Sequence, residues 1–189
     1  MEATEKSRYC SLDGFLLRDY PRTRLFVCVI LLPTHLLSRS LPTPQALDSF
    51  VNLRSLWLEH NAIEEISGLD ALVNLRCLFL MNNNITRISG LEKLKNLVQL
   101  QLSHNNITSI EGLSECKSLN NLDLQGNKIT DISGVLECPT ISILNLSHNK
   151  ISEESVPDTF AKLPEVMLVF LVFPASSYNI VFHSFGQNF

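Results

Sequence analysis

The most constraining feature of this sequence is a pattern that returns every 22 residues. Residues 53–61 read LRSLWLEHN, and residues 75–83 read LRCLFLMNN, with the same leucines and different residues at most of the variable positions. Further copies begin at Leu97, Leu119 and Ile141. The pattern common to the copies is LxxLxLxxNxIxxIxGLxxLxN, so the chain is built from one short unit used five times.

A period of 20–29 residues with the motif LxxLxLxxN is typical of leucine-rich repeats. The LxL part predicts a short strand, and parallel strands of successive coils stack about 4.8 Å apart. One coil cannot bury its leucines alone, whereas a stack of coils makes a continuous core. We therefore predict an α/β leucine-rich repeat solenoid with a parallel concave β-sheet. Each coil is so short that we expect 3₁₀ or irregular segments on the return side.

The repeat pattern divides the chain into three segments. Residues 46–171 hold the five repeats with partial ends, residues 1–45 are poorly patterned, and residues 172–189 form an apolar tail without a usable period. We expect the two flanking segments to be foreign to the repeat fold, as in a fragment, a splice product or a faulty gene model.

The fifth repeat is longer than the others. Val156, Phe160 and Leu163 follow one another at helical spacing, which predicts a short α-helix on its return side. After it, Val166, Val169 and Leu171 fit the leucine positions of a sixth strand.

Two polar columns have structural explanations. Side-chain amides at the position where each coil leaves its strand can pair with backbone groups that the turn leaves open. Glycines at the G position indicate close backbone approach or a conformation that a Cβ would strain. The asparagine ladder consists of Asn61, Asn83, Asn105, Asn127 and Asn149, and the glycines are Gly68, Gly90, Gly112 and Gly134.

Charge and composition exclude several classes of partner. The formal net charge is −4 with no dense basic run, which argues against nucleic acid. The longest apolar run, Leu25–Leu32, is far shorter than the ~20 residues of a membrane-spanning helix, so we expect no membrane insertion. The five cysteines are odd in number and contain no CxxC, which indicates a reducing cytosol and neither a disulfide framework nor a metal site.

No group of residues predicts catalysis. Cys116 and Cys138 replace a leucine in adjacent repeats, and buried apolar filling explains them better than a redox pair does. His60, His104 and His148 share a column in alternate repeats, about 10 Å apart, too far to ligate one metal. They are predicted surface residues. We expect no enzyme activity, no metal, no cofactor and no small-molecule substrate.

The residues between the strand leucines predict a protein-binding face. Since side chains alternate along a strand, the residues beside the buried leucines point onto the concave face. The first two repeats present an apolar patch there, and the later repeats present amides and one acid. Such a patch indicates a protein partner, although Trp57 and Phe79 could instead pack against an upstream coil or residues 20–45. The candidate binding residues are Trp57, Phe79, Met81, Gln101, Asp123 and Asn145.

The repeats resemble the dynein axonemal assembly factors, a family of ciliary leucine-rich repeat proteins. The resemblance rests on LWLE followed one coil later by LRCLFL, on the passage Gly112–Asn120 and on the longer coil ISEESVPDTFAKLPEV. It implies a non-enzymatic protein of the cytoplasm and the cilium or flagellum that assists preassembly of dynein arms, with dynein subunits and chaperones as partners.

Two alternatives stay open beside this resemblance. A phosphatase-regulator-like adaptor would share the 22-residue repeat and would bind through the acidic and aromatic concave residues. A secreted receptor fragment would need the apolar run after Arg24 to act as a signal core, with glycans on the NxS/T sequons at Asn84, Asn106 and Asn145.

Overall fold

The computed structural model describes residues 9–12, 15–19, 27–31, 47, 50–152, 159, 168–172 and 179–182. The described strands form a single sheet whose spatial order follows the order of the chain. They are β1 (Tyr9–Leu12), β2 (Phe15–Asp19), β3 (Val27–Leu31), β4 (Ser55–Trp57), β5 (Cys77–Phe79), β6 (Gln99–Gln101), β7 (Asn121–Asp123), β8 (Ile143–Asn145), β9 (Leu168–Val172) and β10 (Asn179–Phe182).

The repeat strands are parallel and keep the register of the sequence repeat. Leu56 pairs with Leu78, Leu78 with Leu100, and the series continues through Leu122 to Leu144. All five leucines are fully buried. A single-residue slip would turn a whole column of leucines out of the core, so this register is strongly specified. The predicted leucine-rich repeat solenoid with a parallel sheet is confirmed.

The return sides of the coils are mostly turns. A 3₁₀ helix at Ser133–Glu137 is the regular element among them in the described repeats. Asp131 precedes it, and its carboxylate accepts hydrogen bonds from the Ser133 backbone N–H (2.8 Å) and the Ser133 hydroxyl (2.9 Å). These bonds hold the pKa of Asp131 below its usual value. The short 3₁₀ and irregular returns expected from the repeat length are confirmed.

The sheet continues beyond the five repeats at both ends. Strand β3 pairs in parallel with β4, and β1 and β2 extend it as an antiparallel pair. At the other end β9 pairs in parallel with β8, and β10 turns back antiparallel to β9. Strands β1–β3 and β10 lie in the segments expected to be foreign to the repeats. The division into three segments stays a prediction.

The sixth strand occurs where the sequence predicts it, and Val166, the first of its three predicted positions, lies outside the described residues. Val169 pairs with Leu144 and is fully buried, and Leu171 is buried as well. The helix expected in the fifth coil falls largely outside the described residues, including Val156, Phe160 and Leu163. Thr159, which lies between them, is helical.

The core is a set of stacked columns of leucine and isoleucine. Each fully buried side chain of this kind contributes about 1.5–3 kcal/mol. One glycine column permits the close stacking of coils. A Cβ on Gly90 would lie 2.3 Å from the carbonyl oxygen of Ile66 in the preceding coil, and Gly90 also has a positive φ of 68°. Both facts match the role expected from the sequence.

The asparagine ladder joins each coil to the one before it. The Asn83 amide donates to the carbonyl oxygens of Leu58 in the preceding coil (2.9 Å) and Leu80 in its own (3.0 Å). Its carbonyl oxygen accepts the backbone N–H of Ile63 (3.1 Å), again in the preceding coil. The same bonds to the preceding coil recur at Asn105, Asn127 and Asn149. These four asparagines therefore pair buried backbone groups that the turns leave without backbone partners. Among the described contacts, Asn61 donates within its own coil, to the carbonyl oxygens of Leu58 (3.1 Å) and Glu59 (2.8 Å).

Candidate functional site

The candidate site is the face of the sheet opposite the leucine core, which we call the open face. In β5 to β8 the central leucine is buried, while the residue on each side of it is partly exposed. One column of this face runs through the third residue of each repeat strand. It contains Trp57, Phe79, Gln101, Asp123 and Asn145 in register.

The first two repeats place an aromatic pair on the open face. The rings of Trp57 and Phe79 are stacked, with centroids 5.0 Å apart and planes 9° from parallel. Both residues are half-buried and lie outside the leucine core. The separation follows from the register, because strand neighbours lie about 4.8 Å apart. Cys77 and Met81, also half-buried, flank the pair.

The alternative of packing upstream can be examined at Trp57. Strand β3 lies next to β4, and Ile30 is the backbone partner of Trp57. With this neighbour in place Trp57 keeps part of its surface exposed. The role of the aromatic pair in binding stays a prediction.

The later repeats place polar side chains in the same column. The Gln101 amide lies 3.5 Å from the carbonyl oxygen of Asn121, and the Asn145 amide donates to the Gln125 side chain at 3.2 Å. These bonds cross between neighbouring strands and order the amides on the face. The Asn145 side-chain oxygen also accepts the Ser147 hydroxyl (2.7 Å), so the Gln101 amide has more hydrogen-bonding capacity left for a partner or water than the Asn145 amide has.

Asp123 and Asn145 close the same local turn in successive repeats. One Asp123 carboxylate oxygen accepts the backbone N–H of Gln125 (3.0 Å), and the Asn145 carbonyl oxygen accepts the backbone N–H of Ser147 (3.2 Å). Burial raises the pKa of Asp123 above its usual value. The Gln125 bond and the nearby His104 oppose that rise only in part. Burial thus partly disfavours the ionised form of this carboxylate.

Phe170 extends the column at the far end and was not among the sequence-predicted site residues. It is the backbone partner of Asn145 and is 38% exposed, the highest value among the aromatic residues of the open face. The exposure of Phe170 could have been predicted from the sequence. Once Val169 and Leu171 are assigned to the core, alternation along the strand turns Phe170 outward.

Several flanking residues are more buried than the alternation implies. Ser55, Ser103 and Ser147 lie in the flanking columns but are 5–7% exposed. Small side chains between larger neighbours are covered even on an open face. The accessible part of the flanking columns is therefore formed by Cys77, Met81, Glu59, Ile143 and the amides.

The histidine column has a backbone explanation that the sequence reading missed. His60, His104 and His148 are exposed, as predicted, and each has a φ of 56–57°. Asn82 and Gly126 occupy the same position in the other repeats, also with positive φ. Histidine, asparagine and glycine are residues that tolerate the left-handed conformation. Among the described residues, no group of acids, histidines and cysteines could hold a metal ion.

The two core cysteines behave as apolar filling. Cys116 and Cys138 are buried free thiols, and each points at a backbone carbonyl of the preceding coil, Leu91 at 3.8 Å and Leu113 at 3.2 Å. Burial raises the pKa of Cys116 to about 11 and that of Cys138 to about 12. The raised pKa values disfavour the thiolate that nucleophilic chemistry requires. Within the described residues, no helix has the length and apolar character of a membrane-crossing segment.

Comparison with known families agrees with this architecture. A family model described as leucine-rich repeats in two copies matches residues 51–93, 73–115 and 95–137. A second leucine-rich repeat model matches residues 137–156. Together the matches run from residue 51 to residue 156, which is more than half of the 189 residues. No curated protein matches the sequence significantly.

Solved structures of bacterial leucine-rich repeat proteins have the same fold. Internalin C2 of Listeria monocytogenes is 28% identical with a TM-score of 0.60, over 69% of this chain and 56% of that protein. A leucine-rich repeat protein of Leptospira interrogans is 26% identical with a TM-score of 0.61, over 70% of this chain and 34% of that one. This chain thus spans about half or less of each.

Proposed function

Because this chain belongs to the leucine-rich repeat proteins, we propose that it is a non-enzymatic scaffold that binds another protein on the open face. The observation that carries the proposal is the stacked pair of Trp57 and Phe79, which lies outside the core with part of its surface exposed. The concave face of a solenoid is its usual binding surface.

The aromatic pair has the properties of a binding hot spot. Tryptophan is enriched among residues that dominate interface energies. A ring already stacked on its neighbour loses little conformational freedom when a partner covers it, so less binding energy is spent on ordering. Cys77 and Met81 widen the apolar surface around it.

The finer proposal concerns the process in which the scaffold takes part. We propose preassembly of axonemal dynein arms in the cytoplasm of cells that build motile cilia or flagella. Its support is the resemblance of the strand sequences LWLE and LRCLFL and of the long fifth coil to the dynein axonemal assembly factors. The partners are then dynein arm subunits and their chaperones.

The test is affinity purification of the tagged chain from the cytosol of ciliating cells, with partners identified by mass spectrometry. Wild type is compared with Trp57→Ala/Phe79→Ala and with a control, Val51→Ala/Val73→Ala. The control removes exposed apolar side chains (47% and 44% exposed) outside the open face, in or beside the same coils. Dynein heavy or intermediate chains should co-purify with wild type and the control and be lost with the aromatic double variant.

Other outcomes would contradict different parts of the proposal. A phosphatase catalytic subunit alone would replace the dynein assignment with the adaptor alternative and keep the binding function. Equal recovery of a partner by all three proteins would remove the aromatic pair from the interface. A chaperone recovered without any client would contradict the scaffold function.

The secreted alternative can be tested on the expressed chain by a glycosidase shift. In the folded chain the Asn145 amide nitrogen, the atom to which a glycan would be attached, is hydrogen-bonded to Gln125 within the sheet. A glycan is therefore expected at most at Asn84 and Asn106, which lie outside the strands. An unshifted band from secretory cells would contradict the secreted alternative, and a shift would contradict the cytoplasmic assignment.

A further inference from the structure

The charge of Asp123 has no role in the fold that an amide could not fill. Asn145 occupies the same position one coil later and accepts the equivalent backbone hydrogen bond, with an amide in place of a carboxylate. Asp123 is half-buried on the open face, where its charge is partly desolvated. The turn therefore requires only a side-chain oxygen that accepts the hydrogen bond, and not the negative charge of a carboxylate.

The surroundings of Asp123 leave the charge available to a partner. Its bound oxygen accepts the Gln125 N–H, and the described residues include no lysine or arginine paired with it. Its neighbours across the strands, Gln101 and Asn145, are neutral amides. His104 is the nearby group with an electrostatic influence on the carboxylate.

Apolar anchors lie at equal distances on both sides of this charge. Phe79 is two strands before Asp123, and Phe170 is two strands after it, all in one register column. Two strand spacings correspond to about 9.6 Å. The open face therefore presents an aromatic group, an acid and an aromatic group in a line across the strands.

This spacing selects a ligand conformation. In a polyproline II helix, side chains on one face recur every third residue, or about 9.3 Å. In a β-strand, same-face side chains recur at about 6.7 Å or 13 Å, which fits the column poorly. An extended segment in polyproline II conformation can place three consecutive same-face side chains on the three groups.

We propose that the partner docks through an extended segment that crosses the strands, with a lysine or arginine over Asp123 and an apolar residue three positions away on each side. One apolar residue contacts the stacked pair of Trp57 and Phe79, and the other contacts Phe170. This inference rests on the proposed binding function and specifies the chemistry of the partner.

The experiment is selection of random dodecapeptides displayed on phage against the full-length chain. Wild type, Asp123→Asn and the aromatic double variant Trp57→Ala/Phe79→Ala are selected in parallel. Affinities of enriched peptides are then measured by fluorescence of Trp57, the sole tryptophan, in wild type and Asp123→Asn. Asparagine preserves the turn, as Asn145 does, and removes only the charge.

Wild type should enrich peptides with a basic residue flanked by apolar residues at three-residue spacing. Their affinity should fall about tenfold in Asp123→Asn, because a partly buried charge pair is lost. The basic preference should disappear from the selection on that variant. Peptides without a basic residue, or an unchanged preference in Asp123→Asn, would overturn the inference, as would a helical spacing of apolar residues or no enrichment.

The two proposals fail in distinguishable ways. Peptides that depend on the aromatic pair but not on Asp123 would leave the binding face in place and remove only the charged contact. Peptides enriched equally in the selection on the aromatic double variant would instead contradict the site assigned under the proposed function. The purification from ciliating cells tests the binding function without reference to peptide conformation.

Discussion

The two faces of the same strands differ in how much they vary from coil to coil. On the core side, Leu56, Leu78, Leu100, Leu122 and Leu144 are identical and fully buried. On the open face, the adjacent column changes from Trp57 and Phe79 to Gln101, Asp123 and Asn145. Stacking of coils imposes one residue type on the core side, because each coil packs only on its neighbours. Coil stacking imposes no such requirement on the open face, so the residues there can differ from coil to coil and can be specific for a binding partner.

The largest effect should follow from removing one rung of the core. Leu100→Ala deletes a fully buried side chain in the middle coil, where coils on both sides restrict relaxation. We expect a loss of about 2–5 kcal/mol in the free energy of unfolding. Urea unfolding followed by circular dichroism measures it. The paired variant Gln101→Ala, one residue away on the open face, should change stability by about 0.5 kcal/mol or less. Equal losses would contradict the distinction between the two faces.

A smaller loss should follow from substitution of a stacking glycine. Gly90→Ala places a Cβ against the Ile66 carbonyl and forces a non-glycine residue into positive φ, at a cost of about 2 kcal/mol or more. Gly126→Asn is the matched control. Gly126 shares the column of Asn82, and its Cβ would meet the movable ring of His104 rather than backbone. Thermal unfolding should show a lower midpoint for Gly90→Ala than for Gly126→Asn. Equal destabilisation of Gly126→Asn would contradict the difference in surroundings assigned to the two glycines.

The asparagine ladder should show the next effect. Asn105→Ala leaves the buried N–H of Ile85 and the carbonyls of Leu80 and Leu102 without their side-chain partner. We expect a loss of about 1–3 kcal/mol in urea unfolding. Asn106→Ala, at the next position, is the control and should stay within about 0.5 kcal/mol of wild type. An intact stability of Asn105→Ala would show that water can replace the side chain.

Much of the fold follows from the sequence because one physical requirement repeats in every coil. The register, the core columns, the glycine contacts and the sixth strand at Val169 and Leu171 all derive from that periodicity. Strands β1–β3 could not be derived from it. Val29 pairs with Leu56, 27 residues away, so the 22-residue period does not reach it.

The candidate site was predictable in part for a related reason. Alternation along a strand places Trp57, Phe79 and Asp123 on the open face, and the same rule would have added Phe170. It does not report side-chain volume, so the burial of Ser103 and Ser147 was missed. Nor does it report backbone dihedrals. The column of His60, Asn82 and Gly126 is explained by a left-handed turn that hydrophobic periodicity does not detect.

The smallest expected effect sharpens the comparison of the two faces, since it predicts a gain. Burial raises the pKa of Asp123 in the folded chain above its ordinary value of 3.8, so folding favours the protonated acid. The relative stability that Asp123 supplies is present below the unfolded pKa and is lost as pH rises through the folded pKa. Asp123→Asn should therefore equal or slightly exceed wild type in unfolding midpoint at neutral pH, with the advantage shrinking toward pH 3.

The pKa of Asp131 is shifted in the opposite direction. Its bonds to Ser133 lower the pKa, so Asp131→Asn should lose stability above the ordinary value and converge with wild type in acid. Urea midpoints across this pH range measure both variants. A residue that destabilises the fold at neutral pH but strengthens a contact with a partner is expected on the open face and not in the core. If Asp123→Asn instead lost stability, the carboxylate would be a group that stabilises the fold.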